Sequence, residues 1–313
     1  MARHLVTGGA GFIGSNLVRC ILDKGDEVTV LDNFATGKRE NLADVMGRIE
    51  LIEGDIRDVQ AVRRAAEGCG VIFHEAALGS VPRSVEDPVT THEVNVGGTI
   101  NVLEAARARG QRVIFAASSS AYGDQPGSPK HEGMVPAPIS PYAASKVSCE
   151  AYMQGYAASY GMETVSLRYF NVFGPRQDPA GAYAAVIPAF VTRLLAGQRP
   201  TIFGDGEQSR DFCYIDNVCQ ANWLAAQAPP GACDGRPMNI ACNHRTTLNE
   251  ILRQLGDLMG VEVDADYQPP RAGDVKHSLA DVSLAREKIG YEPKVYFQQG
   301  LAEAIDWYRE NLA

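Results

Sequence analysis

A glycine-rich turn near the amino terminus most constrains how this chain can fold. It follows Arg3–Thr7, an apolar run with the pattern of a buried strand, and precedes a segment with helical apolar spacing. A second strand-like run, Glu27–Asp32, ends in an acid. This order of strand, glycine turn, helix, strand and acid predicts a dinucleotide-binding βαβ unit. Both the GxxGxxG and the GxGxxG spacing are satisfied by Gly8, Gly9, Gly11 and Gly14.

The turn and the acid together predict which cofactor binds. Gly8, Gly11 and Gly14 allow the backbone to approach a pyrophosphate, which the positive end of the following helix attracts. Asp32 stands where a carboxylate binds both ribose hydroxyls of an adenosine, and there it would repel a 2′-phosphate. We therefore expect NAD rather than NADP.

A serine cluster and a tyrosine–lysine pair carry the candidate chemistry. Ser118, Ser119 and Ser120 follow a strand-like run at 112–117. Tyr142 and Lys146 are four residues apart on a predicted helix, so their side chains lie on one face. A lysine ammonium beside a phenol favours the phenolate, which is a general base. The pattern predicts proton transfer from a substrate hydroxyl.

Composition excludes several other classes of function. The 313 residues carry a formal net charge of −9, which argues against nucleic acid as the main partner. Seven cysteines without CxxC spacing favour a reduced, cytoplasmic protein, and no histidine or cysteine motif indicates a metal site. No apolar run is long enough to span a bilayer. Because the first predicted strand begins at residue 3, we expect no signal peptide.

The remaining pattern predicts an α/β fold with a doubly wound parallel sheet. Residues 1–170 form the expected Rossmann domain, with a return segment near 215–235, and residues 171–313 form a smaller, mainly substrate-binding α/β domain. Prolines punctuate the elements after about residue 170. Further predicted strands cover 49–52, 71–74, 112–117 and 163–168, and predicted helices cover 92–109, 141–160, 215–228 and 297–311.

With these motifs in one order, the chain resembles the extended short-chain dehydrogenase/reductase family, and within it the UDP-hexose 4-epimerases. The resemblance covers nearly the whole chain. It is carried by the cofactor turn at 7–14, the adenine-side turn at 54–58, the nicotinamide loop at 74–84, the segment 94–96, the strand at 167–175, and the diphosphate contacts at 210–212 and 271–274.

The resemblance implies an NAD site and a UDP-sugar site that share a catalytic tyrosine. The implied catalytic residues are Ser118, Tyr142 and Lys146. The implied cofactor contacts are Gly8, Gly11, Phe12, Ile13, Gly14, Asp32, Asn33, Asp55, Ile56, Ala76, Ala77, Asn95, Tyr142, Lys146 and Tyr169. The implied substrate contacts are Arg83, Ser84, Ser118, Ser119, Ser120, Tyr142, Asn171, Arg210, Arg271, Asp274 and Ser278.

The resemblance also implies a reaction. Ser118 would hydrogen-bond the sugar O4 and Tyr142 would take its proton, while C4 passes through a ketone and is inverted. Arg210 and Arg271 would bind the pyrophosphate, for which guanidinium groups are suited. Two copies of the chain would pair through the helices at about 92–109 and 141–160, so we expect a homodimer.

Three alternatives stay open at this point. A related dehydratase or decarboxylase would carry acids after Ser118, where this chain has Ser119 and Ser120. A UDP-uronic acid 4-epimerase would share all of the motifs above. A non-catalytic NAD-binding protein is disfavoured by the intact tyrosine–lysine pair.

The resemblance also bears on which sugars are accepted. Ser278 falls at the position where epimerases restricted to plain hexoses carry a tyrosine. A serine is smaller, so we expect N-acetylated sugars to be accepted.

Overall fold

A parallel sheet with helices on both faces forms the centre of the molecule. The computed structural model describes residues 1–178, 185–270 and 276–312. In this part of the chain seven strands follow the order β11-β6-β5-β4-β1-β2-β3, and each pair of neighbours is parallel. The predicted doubly wound α/β fold is confirmed.

The strands and helices have the following bounds. The strands are β1 (Arg3–Thr7), β2 (Glu27–Asp32), β3 (Ile49–Glu53), β4 (Val71–His74), β5 (Arg112–Ser118), β6 (Thr164–Tyr169), β7 (Val172–Phe173), β8 (Thr201–Phe203), β9 (Ser209–Asp211), β10 (Cys213–Tyr214), β11 (Asp234–Ile240), β12 (Arg245–Thr247) and β13 (Asp266–Gln268). The helices are α1 (Phe12–Asp23), α2 (Val59–Ala65), α3 (Val81–Glu86), α4 (Pro88–His92), α5 (Gly98–Arg107), α6 (Pro141–Tyr160), α7 (Val186–Leu195), α8 (Ile215–Gln227), α9 (Leu248–Met259), α10 (Ser283–Ile289) and α11 (Phe297–Leu312).

Two apolar cores hold the helices against the sheet. Leu17 of α1 and Val218 of α8 belong to the core on one face. Val62 of α2, Val102 of α5 and Met153 of α6 belong to the core on the other. Each of these five side chains is fully buried, and burying such a side chain stabilises the fold by roughly 1.5–3 kcal/mol. The packing fixes α1 and α6 relative to the strand ends that they approach.

The helical region predicted at 92–109 differs from a single regular helix. It begins earlier, at α4, where the Asp87 carboxylate accepts a hydrogen bond from the Thr90 N–H, and Pro88 occupies the first turn. Glu93–Gly97 is a π-helical segment before α5. The consecutive residues Gly97 and Gly98 are weak helix formers that permit this irregularity. A Cβ on Gly98 would approach the Ile56 side chain to 2.4 Å, so close packing also requires glycine there.

The chain returns to the sheet after leaving it at Tyr169. Helix α8 packs beside α1, and β11 then pairs in parallel with β6 as an edge strand. Pro237 lies within β11, where the lack of an amide donor is tolerated because the strand has a neighbour on one side only. The pairs β7–β10, β9–β12 and β8–β13 form small separate sheets. None of the helices in the described ranges is long and apolar enough to cross a membrane.

Candidate active site

A cavity of about 720 Å³ opens at the carboxyl ends of the strands, beside β1 and β4 where the strand order reverses. Open α/β sheets bind ligands at this point. The cavity is lined by most of the predicted cofactor residues and by two predicted substrate residues, Arg83 and Tyr142, the second of which is also a predicted cofactor contact. These are Gly8, Gly11, Phe12, Ile13, Gly14, Asp32, Asn33, Asp55, Ile56, Ala76, Ala77, Tyr142, Lys146, Tyr169 and Arg83.

The glycine turn forms a cradle that side chains would fill. Gly8 has φ +69°, and a Cβ there would lie 2.7 Å from backbone atoms of Ala76. A Cβ on Gly14 would lie 2.2 Å from the Gly8 carbonyl oxygen. The first turn of α1 therefore packs directly on the glycine turn. The free N–H groups at the amino end of this helix point toward the cavity. This geometry fits a diphosphate at the amino end of α1.

The acid at the end of β2 holds the turn in place. The Asp32 carboxylate accepts hydrogen bonds from the Ala10 N–H at 2.9 Å and the Phe34 N–H at 2.8 Å. Nearby, the Asn33 side chain donates to Asp55 at 2.9 Å. Hydrogen bonds from Arg57 lower the pKa of Asp55 to about 2, so Asp55 carries a negative charge at neutral pH.

This end of the cavity fits the adenosine of NAD. Two carboxylates suit ribose hydroxyls and oppose a 2′-phosphate. Two basic residues follow Asp32 in the segment between β2 and β3, and each forms an ion pair. Lys38 pairs with Asp178 at 3.1 Å, and Arg39 pairs with Glu53. The residues present would therefore hold NAD in preference to NADP.

Removing the Asp32 charge should relax this preference. We expect Asp32→Ala to raise the ratio of NADP to NAD affinity by roughly tenfold, because one like-charge contact is worth about 1–4 kcal/mol. Asp32→Asn is the matched variant, since it removes the charge but keeps the side-chain shape and an oxygen for one of the two N–H groups, those of Ala10 and Phe34. Titration calorimetry with both nucleotides measures the ratio. A wild-type protein that binds NADP more tightly would contradict our interpretation of Asp32.

Helix α6 brings Tyr142 and Lys146 to the opposite end of the same cavity. Ser140 caps this helix and Pro141 occupies its first turn. The Lys146 side chain is buried, and its Nζ donates to the Ala116 carbonyl at 2.6 Å, above the Phe115 ring. An ammonium has three donors, of which this contact uses one. The pair is thus positioned next to the end of β5.

The serine cluster lies at that strand end, just beyond the cavity lining. Ser118 is the last residue of β5, adjacent to Ala117, which lines the cavity. Its Oγ accepts hydrogen bonds from the Ser120 N–H at 3.2 Å and the Ser120 hydroxyl at 2.9 Å. Ser119 and Ser120 begin a short 3₁₀ turn. The Ser118 hydroxyl therefore keeps its own proton for a further acceptor.

Two predicted contact residues lie behind the cavity wall. The Ser84 hydroxyl is fully buried, where it accepts from the Tyr142 N–H at 3.0 Å and donates to the Val81 carbonyl. Asn95 is also buried and bonds both backbone groups of Leu78, whose loop lines the cavity. Both side chains position the wall in this structure.

Three further predicted substrate residues, Asn171, Arg210 and Ser278, lie in or beside β9, apart from the cavity lining. The Asn171 side chain donates to the Asp211 carbonyl at 3.0 Å, and the Ser278 N–H donates to the Ser209 carbonyl at 3.0 Å. Arg210 donates to the Ser209 and Lys276 carbonyls. Arg271 and Asp274 lie outside the described residues.

Glu75 and Arg176 are two of the lining residues that the sequence-based prediction missed. Glu75 follows β4 directly, and its carboxylate accepts from the Tyr169 hydroxyl at 2.9 Å. Arg176 donates to the Asn16 side chain in α1. An acid at a strand's carboxyl end was a usable signal for Glu75. Arg176 lies in an irregular segment with φ +70°, where no spacing rule applies.

A buried histidine network supports the same wall. His74 Nδ1 lies 2.8 Å from the Thr7 hydroxyl and Nε2 lies 2.9 Å from the Thr99 hydroxyl. The Thr99 hydroxyl donates to the Asn95 carbonyl, so the network is consistent with a proton on Nε2. Burial, reinforced by the positive charge of Lys146, lowers the pKa of His74 to about 3. The histidine is therefore neutral in the folded protein at physiological pH.

This network should make stability depend on pH. Unfolding returns His74 to its ordinary pKa of about 6.5. The unfolded state therefore takes up a proton as the pH falls, which stabilises it relative to the folded state. Between pH 7 and pH 5 we expect wild type to lose about 2 kcal/mol more unfolding free energy than His74→Gln. Urea unfolding of both proteins measures this difference. Parallel pH curves would mean that His74 is protonated in the fold.

Comparison with known proteins gives consistent results. The NAD dependent epimerase/dehydratase family matches residues 4–241. A UDP-glucose 4-epimerase of Mycolicibacterium smegmatis is 40% identical over 314 residues, covering 99% of each chain. The structure of a UDP-N-acetylglucosamine 4-epimerase from Methanobrevibacter ruminantium M1, in complex with UDP-N-acetylmuramic acid, superposes with a TM-score of 0.92 at 39% identity, covering 99% of this chain and 98% of that one. A UDP-glucose 4-epimerase from Thermus thermophilus, in complex with NAD, gives 0.88 at 40% identity, with 99% coverage of both.

Proposed function

This chain belongs to the NAD dependent epimerase/dehydratase family, and we propose that it is a UDP-sugar 4-epimerase acting through a 4-keto intermediate. One observation carries the proposal. Tyr142 and Lys146 line the same cavity as the glycine turn and Asp32, so a proton acceptor stands at the end opposite the adenosine site. The relatives whose names specify UDP-sugar 4-epimerisation support the choice of reaction.

The proposed mechanism assigns a proton to Tyr142 and orientation to its neighbours. Tyr142 accepts the O4 proton while C4 is oxidised, and it returns that proton when C4 is reduced on the opposite face. Bound NAD supplies acceptance and return of the hydride at C4. Lys146 orients the cofactor ribose and keeps positive charge beside the phenol. Ser118 donates a hydrogen bond to O4, and the net redox change is zero.

Substrate recognition belongs to the region around β9. Arg210 is proposed to bind the diphosphate, and Asn171 to hydrogen-bond it from the end of β6. Both side chains are half-buried beside Asp211, whose carboxylate accepts from the Cys242 N–H at 2.9 Å and the Ala280 N–H at 3.1 Å. Asp211 thus ties three chain segments together at the proposed nucleotide site.

Direct assay of the purified protein tests the proposal. The protein is incubated separately with UDP-glucose, UDP-N-acetylglucosamine and UDP-glucuronic acid, and the C4 epimer is measured by NMR. We expect inversion at C4 without added NAD, because the cofactor is regenerated in each turnover. Preparations that hold NAD and yet invert none of these sugars would refute the proposal.

Ser278 is proposed to leave room for an N-acetyl group at C2. It lies half-buried beside Ser209, close to Arg210 in the backbone pairing. We expect Ser278→Tyr to lower kcat/KM for UDP-N-acetylglucosamine by at least tenfold, about 1.4 kcal/mol, while largely sparing UDP-glucose. Ser278→Ala, which keeps the space, is the control. Equal losses on both sugars would show that Ser278 does not determine this selectivity.

Two further parts of the proposal concern assembly and location. We propose a homodimer formed through α5 and α6, where Tyr152 and Tyr160 are exposed large side chains. Sedimentation equilibrium of the wild type tests this. A cytoplasmic location is also proposed, since all seven cysteines are free thiols.

A further inference from the structure

Glu75 has an unusual environment for a carboxyl group. It lines the cavity, and its Oε1 accepts a hydrogen bond from the Tyr169 hydroxyl at 2.9 Å. That hydroxyl in turn accepts from the Asn222 side chain at 2.8 Å. Glu75 Oε2 is buried and has no hydrogen-bond partner among the described residues. A buried polar atom of this kind calls for a specific explanation.

One of the groups around Glu75 is positively charged. Lys146 of α6 favours the carboxylate through its charge. Cys219 of α8 and the phenol of Tyr169 in β6 carry no positive charge. Burial raises the pKa of Glu75 to about 7, against the hydrogen bond from Tyr169 and the charge of Lys146. Both protonation states of Glu75 are therefore populated near neutral pH.

The position of Glu75 identifies the part of the cofactor it would face. Asp32 and Asp55 mark the adenosine end of the cavity, and the glycine turn marks the diphosphate. Glu75 lies instead with Tyr169 and near Lys146, at the end that holds the proposed proton acceptor. Within the proposed NAD site this is the nicotinamide end.

Charge decides what a carboxylate does there. The oxidised nicotinamide ring carries a positive charge, and addition of a hydride removes it. We infer that Glu75, by its negative charge, favours the oxidised over the reduced nicotinamide in this site and so keeps the resting enzyme ready to oxidise C4. This inference rests on the proposed NAD site. Its physical basis is the strength of a charge pair in a poorly solvated cavity.

The midpoint potential of the bound nicotinamide couple tests this assignment without using turnover. Glu75→Gln keeps the shape and the acceptor for the Tyr169 hydroxyl but removes the charge. At about pH 8 we expect the ratio of NAD⁺ to NADH affinity to fall on the order of tenfold in this variant. For a two-electron couple that corresponds to a potential about 30 mV more positive. The difference should shrink toward about pH 6, as wild-type Glu75 becomes protonated.

Two other variants separate charge from structure. Glu132→Gln is the matched control, because Glu132 is a carboxyl whose pKa burial also raises, its Oε1 accepts from the Asn239 N–H at 2.7 Å, and it is not among the lining residues. This variant should keep the wild-type potential. Tyr169→Phe removes the hydrogen bond that favours the carboxylate. It should move the pH dependence to higher pH, which a merely structural role would not do.

The outcomes are distinct. A wild-type potential in Glu75→Gln across this pH range would overturn the inference about Glu75 and leave the proposed epimerase intact. An equal shift in Glu132→Gln would overturn it as well, since the effect would then be general. A wild-type protein that binds no nicotinamide nucleotide would refute the proposed cofactor site together with the inference.

Discussion

Replacing Tyr142 with phenylalanine should lower the rate of C4 inversion by roughly 10²–10⁴-fold, the usual contribution of general acid–base catalysis. The proposed mechanism needs this hydroxyl to take the O4 proton and return it. The ring, the capped start of α6 and the hydrogen bond from the Tyr142 N–H to Ser84 all remain in the variant. Binding of NAD and the unfolding midpoint should therefore stay close to wild type.

Tyr122→Phe is the matched control for this variant. Tyr122 is also a tyrosine beside the serine cluster, but its ring is buried and its hydroxyl donates to the Asn239 side chain at 2.7 Å. Burial raises the pKa of Tyr122 to about 12, so its phenol stays protonated at neutral pH and does not accept a proton from substrate. Loss of its hydroxyl should cost about 1–3 kcal/mol of unfolding free energy, because Asn239 loses a buried partner.

Single-turnover and steady-state rates at saturating substrate distinguish the two tyrosines. The folded Tyr122→Phe protein should invert C4 of the substrate at close to the wild-type rate, whereas Tyr142→Phe should not. Near-normal turnover by Tyr142→Phe would remove this residue from the proton transfer. It would also leave the cavity without an assigned base.

The cofactor half of the molecule could be predicted because local rules determine it. The turn needs residues that occupy little space and that adopt backbone conformations unfavourable for other residues. Glycine meets both needs, so the spacing of the glycines in the sequence is enough to predict the turn. The strand alternation fixes the parallel sheet, which brings Asp32, Ala76 and Lys146 to one edge. The resemblance to the extended short-chain dehydrogenase/reductase family and the NAD cofactor are both confirmed by the family match and by an NAD-bound relative.

Features that depend on contacts between distant residues could not be predicted in this way. Whether Ser84 and Asn95 face the cavity or stand behind its wall depends on a helix start and a π-helical segment that no motif reveals. The raised pKa of Glu75 arises from its burial in the folded molecule, against the opposing effects of Tyr169 and Lys146, which are distant in the sequence. The participation of β11 in the sheet was hidden by Pro237, because only the finished topology shows that β11 is an edge strand.

The burial of Arg168 could not be predicted from the sequence either. Disrupting its buried ion pair has the largest expected effect on stability. Charged residues are rarely fully buried, so the sequence pattern offered no reason to expect this one inside the molecule. Arg168 of β6 donates to Glu150 of α6 through two hydrogen bonds of 2.8 and 2.7 Å, and both side chains are 3% exposed or less. Burial opposes its charge, but Glu150 raises the pKa of Arg168 above its ordinary value.

Glu150→Gln should lower the unfolding free energy by roughly 3–5 kcal/mol, because it leaves a buried guanidinium without its counter-charge. Glu150 is one helical turn after Lys146, and Arg168 precedes Tyr169 in the cavity wall. The same variant should therefore also weaken NAD binding, as α6 and β6 lose an ion pair that joins them. Denaturant unfolding and calorimetry with NAD measure the two effects.

The exposed pair of Arg286 and Glu292 supplies the comparison, since both of its side chains are more than half exposed. Glu292→Gln should leave the unfolding free energy close to that of wild type, because solvent screens an exposed ion pair. The double variant Glu150→Leu/Arg168→Met should recover most of the stability lost in Glu150→Gln, since apolar groups need no counter-charge. If the double variant is as unstable as Glu150→Gln, the loss comes from shape and packing, and the unpaired charge is not its cause.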